Sequence, residues 1–173
     1  MQCIVVALDG SDHAEKALDL ASDLAARYGA ELVLVHALSD KRLSEAERHM
    51  AETEHLDELS NVTGMLQAPG DPRSVAEWLV HGSVTVTKRL RELFGQRLME
   101  SAQRRAREHG ARQIQTVLED GEPAETIVRV AQERGADMIV MGSRGLGGAK
   151  GLLMGSVSHK VGQLAECTCV TVK

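Results

Sequence analysis

Cysteine is scarce in this sequence, and the few thiols are poorly placed for bridging. There are three cysteines among 173 residues, and an odd, small number argues against a disulfide framework. Cys167 and Cys169 are separated by one residue, which is too close to pair without strain. A metal or redox site at Cys167-Thr168-Cys169 is an alternative, but no second cysteine pair or His-x-x-His spacing completes it. We favour two small residues of a terminal strand.

Long hydrophobic runs, a basic leader and an excess of positive charge are also missing. The uninterrupted apolar runs have the length of strands, which predicts no membrane-spanning segment. The N-terminal stretch MQCIVVALDG lacks the basic start and cleavage site of a signal peptide, so we expect a cytoplasmic protein. The formal net charge of −5 argues against general binding to nucleic acid or to an anionic membrane surface.

Apolar segments of strand length alternate with helical patterns along most of the chain. The strands read as apolar throughout rather than on alternate residues, which is typical of a parallel sheet covered on both faces. We therefore predict a single α/β domain, residues 1–173, with a five-stranded, parallel, doubly wound α/β/α sandwich. The predicted strands are Ile4 to Leu8, Glu31 to Leu38, Gln113 to Leu118, Met138 to Met141 and Cys169 to Val172.

The alternation is interrupted after the second strand, where we predict a helical insertion at about residues 40–88. Leu43 to Leu59 is charged with helical spacing, and Ala68 to Pro72 reads as a turn or linker. A long amphipathic helix from Leu90 to His109 then supplies the crossover to the third strand.

Four residues of the insertion, three histidines and one tryptophan, have side chains that could bind a ligand or pack against a partner. His49, His55 and His81 are candidate ligands, although solvated histidines on a polar helix are the preferred interpretation. Trp78 is expected to anchor the insertion to the body or to a partner rather than to carry chemistry.

The stretch MGSRGLGGAKGLLMGSVSHKV, from Met141 to Val161, combines glycines, cations and hydroxyls between a strand and a helix. Glycines leave backbone N–H groups unshielded, and the first N–H groups of a helix have no partner inside it. Such a loop attracts an anion, usually phosphate. A glycine-rich surface loop without a ligand is the alternative.

The spacing Gly142-x2-Gly145-x9-Gly155-Ser156, with Asp9 after the first strand, resembles the nucleotide-binding branch of the universal stress protein family. The similarity runs from VALDGS through GEPAETIVRVAQERGADMIVMGSRG to GSVSHKV and covers the insertion least. The resemblance implies an adenine nucleotide α-hydrolase-like fold. It also implies a homodimer paired through the C-terminal strand, with ATP, or ADP or AMP, held at the strand ends of each subunit.

The resemblance also implies which residues touch the nucleotide. At the adenine and ribose end they are Ala7, Leu8, Asp9 and Ala37. Around the ribose and phosphates they are Met141, Gly142, Arg144, Gly145, Gly155, Ser156, Val157 and Ser158.

Some of these roles have alternatives in the sequence itself. Asp9 can accept from ribose hydroxyls, or it can serve as a turn or N-cap residue of the first helix, a role that Ser11 or Asp12 could also fill. Arg144 and Lys150 can neutralise phosphates, and for Lys150 loop solubility is an equal interpretation. Mg or Mn bound with the phosphates is a further option, but no carboxylate cluster specifies a metal.

Three functions compete for this pattern. The preferred one is a regulatory, stress-response protein whose nucleotide tunes the homodimer or a protein partner such as a transporter or regulator, without turnover. A slow metal-dependent ATPase or phosphoryl-transfer enzyme is the second, although no Gly-x4-Gly-Lys-Ser/Thr loop is present and His159 is the nearest candidate base. The third is an AMP-binding or nucleotide-free module that uses the insertion to bind a partner.

The family often has a proline before its last strand, which is absent here.

Overall fold

The computed structural model describes residues 1–39, 72–146 and 154–173, with side chains of the second range described at 88, 89 and from 91 onwards. These residues fall into two compact units, Met1–Lys41 with Gly95–Lys173, and Arg42–Phe94. The first unit holds the sheet. The predicted insertion, with Leu43 to Leu59, His49 and His55, lies mostly outside the described residues. His81 and Trp78 lie within the second range, but their side chains are not among those described. The interpretations of these residues stay predictions.

Five parallel strands form one sheet in the order β3-β2-β1-β4-β5. This confirms the predicted fold class. Four helices follow the strands in the described residues. The strands are β1 (Cys3–Ala7), β2 (Glu31–Leu38), β3 (Gln113–Asp120), β4 (Met138–Gly142) and β5 (Thr168–Val172). The helices are α1 (Asp12–Tyr28), α2 (Pro72–Glu108), α3 (Pro123–Glu133) and α4 (Ser156–Leu164).

The two faces of the sheet bury two separate apolar clusters. Ile4 and Val6 of β1 point towards α1 and the C-terminal part of α2, whereas Val5 points towards α3 and α4. Successive residues of a strand face opposite sides, so an apolar run is needed where both faces are covered. This double burial explains why the central strand β1 carries only apolar residues from Ile4 to Val6.

Helix boundaries follow local capping chemistry. Helix α1 ends at Gly29, which adopts a left-handed φ of 66° and donates its N–H to the carbonyl of Ala25. Helix α3 begins with Pro123, whose missing N–H is not needed in the first turn. Helix α2 begins at Pro72 rather than at the predicted Leu90. Proline is compatible with the first position of a helix, and the apolar periodicity used for the prediction starts only further along the helix.

No helix among the described ranges is long and apolar enough to cross a membrane.

Candidate functional site

The candidate site lies where the order of the strands reverses. Strands β1 and β4 are neighbours, but α1 leads from β1 to β2 on one side, and α4 leads from β4 to β5 on the other. The connections therefore diverge at the carboxyl ends of β1 and β4, which is where doubly wound sheets form a ligand crevice. The segments after β1 and after β4 meet at this point.

Asp9 joins these two segments. Its Oδ1 accepts hydrogen bonds from the backbone N–H of Ser11 at 3.0 Å and from the Ser11 hydroxyl at 2.7 Å. Gly10 makes the tight turn possible with a φ of 82°. The other carboxylate oxygen, Oδ2, accepts from the N–H of Leu146 at 3.3 Å. Asp9 is thus a turn residue that also ties the β1 loop to the glycine loop.

Two glycines of the motif lie close to other parts of the protein. A Cβ added at Gly145 would collide with Oδ2 of Asp9. A Cβ added at Gly142 would lie 2.9 Å from Cβ of His13 and 3.0 Å from the backbone nitrogen of Ala14. The sequence-based expectation that both glycines let the main chain approach phosphate oxygens stays a prediction. The structure places the first turn of α1 against Gly142 and the carboxylate of Asp9 against Gly145.

Ser143 is a buried junction at the end of β4. Its N–H donates to the carbonyl of Val172 at 2.7 Å, and its hydroxyl lies 3.2 Å from Nδ1 of His13. Its carbonyl accepts from the N–H of Gly155 at 2.7 Å and from the hydroxyl of Ser158 at 3.0 Å. One residue therefore links α1, β5 and the start of α4.

The start of α4 differs from the starts of α1 and α3. In α1, the Ser11 hydroxyl accepts from the N–H of Ala14, and in α3 a Glu122 carboxylate accepts from the N–H of Glu125. The N-cap residue of α4 is Gly155, which forms no side-chain hydrogen bond to the first turn. The first turn of α4 thus presents backbone N–H groups that are not capped by the side chain of its own N-terminal residue.

The residues predicted for the adenine and ribose end lie close to the same crevice. Ala7 is paired with Met141 across β1 and β4, and both pack on the side of α3 and α4. Ala37 lies in β2, two residues beyond Val35, which pairs with Ala7. Leu8 differs, because its side chain is buried in the α1-facing cluster, so only its backbone can touch a ligand.

The predicted phosphate contacts are only partly available. The N–H of Gly155 donates to Ser143 and is not free. The hydroxyl of Ser158 is also engaged, by the carbonyls of Ser143 and Gly155. Ser156 is exposed, Val157 is half-buried and Arg144 is exposed beside them. Lys150 lies outside the described residues.

Metal-binding chemistry has no support in the described ranges. No three acidic, histidine or cysteine side chains there are grouped to hold an ion. Burial raises the pKa of the Cys3, Cys167 and Cys169 thiols, and the thiolate is the form that binds metals and reacts.

Sequence reasoning missed the roles of His13 and Ser143. The two residues are 130 positions apart, and nothing in the periodicity of α1 distinguishes His13. The placement of Ser143 between Gly142 and Arg144, inside the glycine motif, was the available signal.

Comparison with known proteins agrees with this architecture. The family model described as "Universal stress protein family" matches residues 1–173. The chain belongs to the universal stress protein family. Universal stress protein YxiE of Bacillus subtilis is 34% identical over 170 residues, which cover 98% of this chain and 97% of that relative.

Solved structures of the family share the fold. Universal stress protein UspA from Lactobacillus plantarum superposes with a TM-score of 0.72 at 20% identity, covering 99% of this chain and 97% of its own. A universal stress protein solved in complex with cAMP superposes with a TM-score of 0.61 at 25% identity, covering 99% and 97%.

Proposed function

We propose that this universal stress protein is a cytoplasmic regulatory protein that binds an adenine nucleotide. The nucleotide is ATP, or ADP or AMP, and it binds at the carboxyl ends of β1 and β4. The nucleotide tunes a homodimer or a protein partner and needs no turnover. The family relative in complex with cAMP supports an adenine nucleotide as the ligand class.

The start of α4 is the observation that carries this proposal. Gly155 gives its N–H to Ser143, which leaves the N–H groups of Ser156, Val157 and Ser158 as the first-turn donors without partners inside the helix. Backbone donors at a helix N-terminus favour phosphate through hydrogen bonds and through the helix dipole. In α1 and in α3 a side-chain cap satisfies one of the corresponding N–H groups, that of Ala14 and that of Glu125.

Asp9 sets the direction of the nucleotide. A carboxylate repels phosphates and accepts from hydroxyl or amino groups, so the adenosine end belongs near Asp9 and the phosphates near α4. The bond from Leu146 to Oδ2 is long at 3.3 Å, and a ribose hydroxyl can replace it at little cost. Ala7 and Ala37 have small side chains and are half-buried.

A matched pair of variants at Ser156 tests the role of the backbone donors. Ser156→Pro removes the N–H and the hydroxyl, and Ser156→Ala removes only the hydroxyl. Proline is compatible with the first helical position, and Gly155 before it already has extended angles, with φ −77° and ψ 161°. We expect Ser156→Pro to weaken AMP binding at least about tenfold, because hydrogen bonds to charged groups contribute about 1.5–3 kcal/mol.

Isothermal titration with AMP, ADP, ATP and GMP measures these affinities. Ser156→Ala should bind within a few-fold of wild type. Equal affinity of wild type and Ser156→Pro for AMP, with native circular dichroism, would remove the start of α4 from the site. Mass spectrometry of nucleotide released from the purified protein identifies which nucleotide is held: a triphosphate supports ATP, and a monophosphate supports AMP. A metal ion bound with the phosphates stays a prediction.

A further inference from the structure

The candidate phosphate donors are held in place by a chain of contacts that begins on another helix. His13 lies in the first turn of α1, and its Nδ1 is 3.2 Å from the hydroxyl of Ser143. The carbonyl of Ser143 then accepts the N–H of Gly155 and the hydroxyl of Ser158, at 2.7 and 3.0 Å. Gly155 and Ser158 bracket the first turn of α4.

The two serines in this chain of contacts are buried. Ser143 is 2% exposed and Ser158 is 3% exposed. A buried hydroxyl without a partner costs free energy, so Ser143 keeps its side-chain orientation only while an acceptor or donor is present. Gly142 brings that partner close, because its missing side chain lets the first turn of α1, with His13, approach β4.

We propose that His13 and Ser143 are positioning residues for phosphate: through their hydrogen bond they hold the Ser143 carbonyl, and with it the N–H groups of the first turn of α4, in the geometry that binds the phosphate of a nucleotide. This inference rests on the proposed function. Neither side chain needs to touch the nucleotide. Their contribution belongs to the phosphate, because Ser143 contacts Gly155 and Ser158 at the start of α4. The proposed place of the adenosine end is Asp9, whose carboxylate accepts from Ser11 and Leu146 instead.

Comparing AMP with adenosine separates positioning from general loss of structure. We expect His13→Ala and Ser143→Ala to weaken AMP binding about tenfold, the effect of displacing one or two hydrogen bonds, while adenosine binding changes less than about twofold. His13→Asn should restore most AMP affinity, since its side-chain amide can donate or accept near the position of Nδ1. Calorimetry measures AMP, and NMR chemical-shift titration measures adenosine.

Ser22→Ala is the matched control for Ser143→Ala. Ser22 is also buried, and its hydroxyl donates to the carbonyl of Leu18 within α1 at 2.6 Å. It should leave both ligands unchanged. If Ser143→Ala does not fold, the comparison of His13→Ala with His13→Asn decides alone.

Three results would overturn the inference while the proposed function survives. The first is AMP affinity unchanged in His13→Ala. The second is a parallel loss of AMP and adenosine affinity, and the third is a His13→Asn variant that binds AMP as weakly as His13→Ala. Either of the last two would show a merely structural role. A wild-type protein that binds none of AMP, ADP and ATP would instead refute the proposed function and this inference together.

Discussion

At the scale of the residue, one missing methyl group at Gly142 decides how closely α1 approaches the sheet. A Cβ there would meet the backbone nitrogen of Ala14 and the carbonyl carbon of His13, both at 3.0 Å. Backbone atoms cannot rotate away, so the helix itself must shift. We expect Gly142→Ala to lower the free energy of unfolding by about 1–3 kcal/mol, measured by urea denaturation.

Gly162→Ala is the control for that substitution. Gly162 lies in α4 with nothing within 4 Å of an added Cβ. Alanine should therefore stabilise the protein by up to about 1 kcal/mol through helix propensity. Equal effects of the two substitutions would contradict the close approach at Gly142.

At the scale of the element, α1 and α2 are joined by a two-point ion pair. Arg105 donates to both carboxylate oxygens of Asp19, from Nε at 2.5 Å and from Nη2 at 2.8 Å. These hydrogen bonds hold the pKa of Asp19 below its ordinary range. A depressed carboxyl pKa in the folded state adds stability above the unfolded value of about 3.9, and that stability is lost as pH falls through the folded pKa.

We expect Arg105→Gln to lower the free energy of unfolding at pH 7 by at most about 1 kcal/mol, because the arginine side chain is 42% exposed and solvent screens the pair. The difference from wild type should shrink as the pH is lowered from about 5 through the depressed pKa of Asp19, because the protonated carboxyl no longer forms the ion pair. Urea denaturation across this range is the measurement. Arg104→Gln, at an exposed arginine of the same helix, is the control, and a difference independent of pH would refute the assignment.

At the scale of the whole molecule, β5 is an edge strand of the described sheet. The N–H of Thr168 donates to Asp137, and the carbonyl of Val172 accepts from Ser143, so alternate residues from Thr168 to Val172 face β4. The backbone groups of Thr171 therefore point away from the sheet. In the proposed homodimer these outward groups pair with the same strand of a second copy.

We expect Thr171→Pro to shift the protein towards monomer, because it deletes an outward N–H at an exposed position. Val170→Pro should instead destabilise the subunit, since Val170 faces β4 and packs against the core. Sedimentation velocity at micromolar concentration, with thermal denaturation beside it, distinguishes the two outcomes. Thr171→Lys is a milder second variant. Thr171 variants that sediment as wild type would move the interface away from β5.

Several elements were predictable because their signals are local. Strand β2 has the predicted bounds, Glu31 to Leu38, since an apolar run between Gly29 and polar residues needs no distant partner to be recognised. Helix α3 likewise begins at Pro123, a residue that local sequence marks as a helix start. Strand β3 extends to Asp120, two residues past the predicted Leu118, because pairing with β2 carries polar residues into the sheet.

The amino-acid sequence by itself determined the alternation of strands and helices and the glycine spacing of the motif, because both are written in neighbouring residues. Only the tertiary structure decided which groups lie against Gly142 and Gly145. It alone shows that the N–H of Gly155 donates to the carbonyl of Ser143 and that His13 contacts the Ser143 hydroxyl. Those contacts join segments far apart in the chain, and their geometry exists only once β1 and β4 lie side by side and α1 packs across their ends.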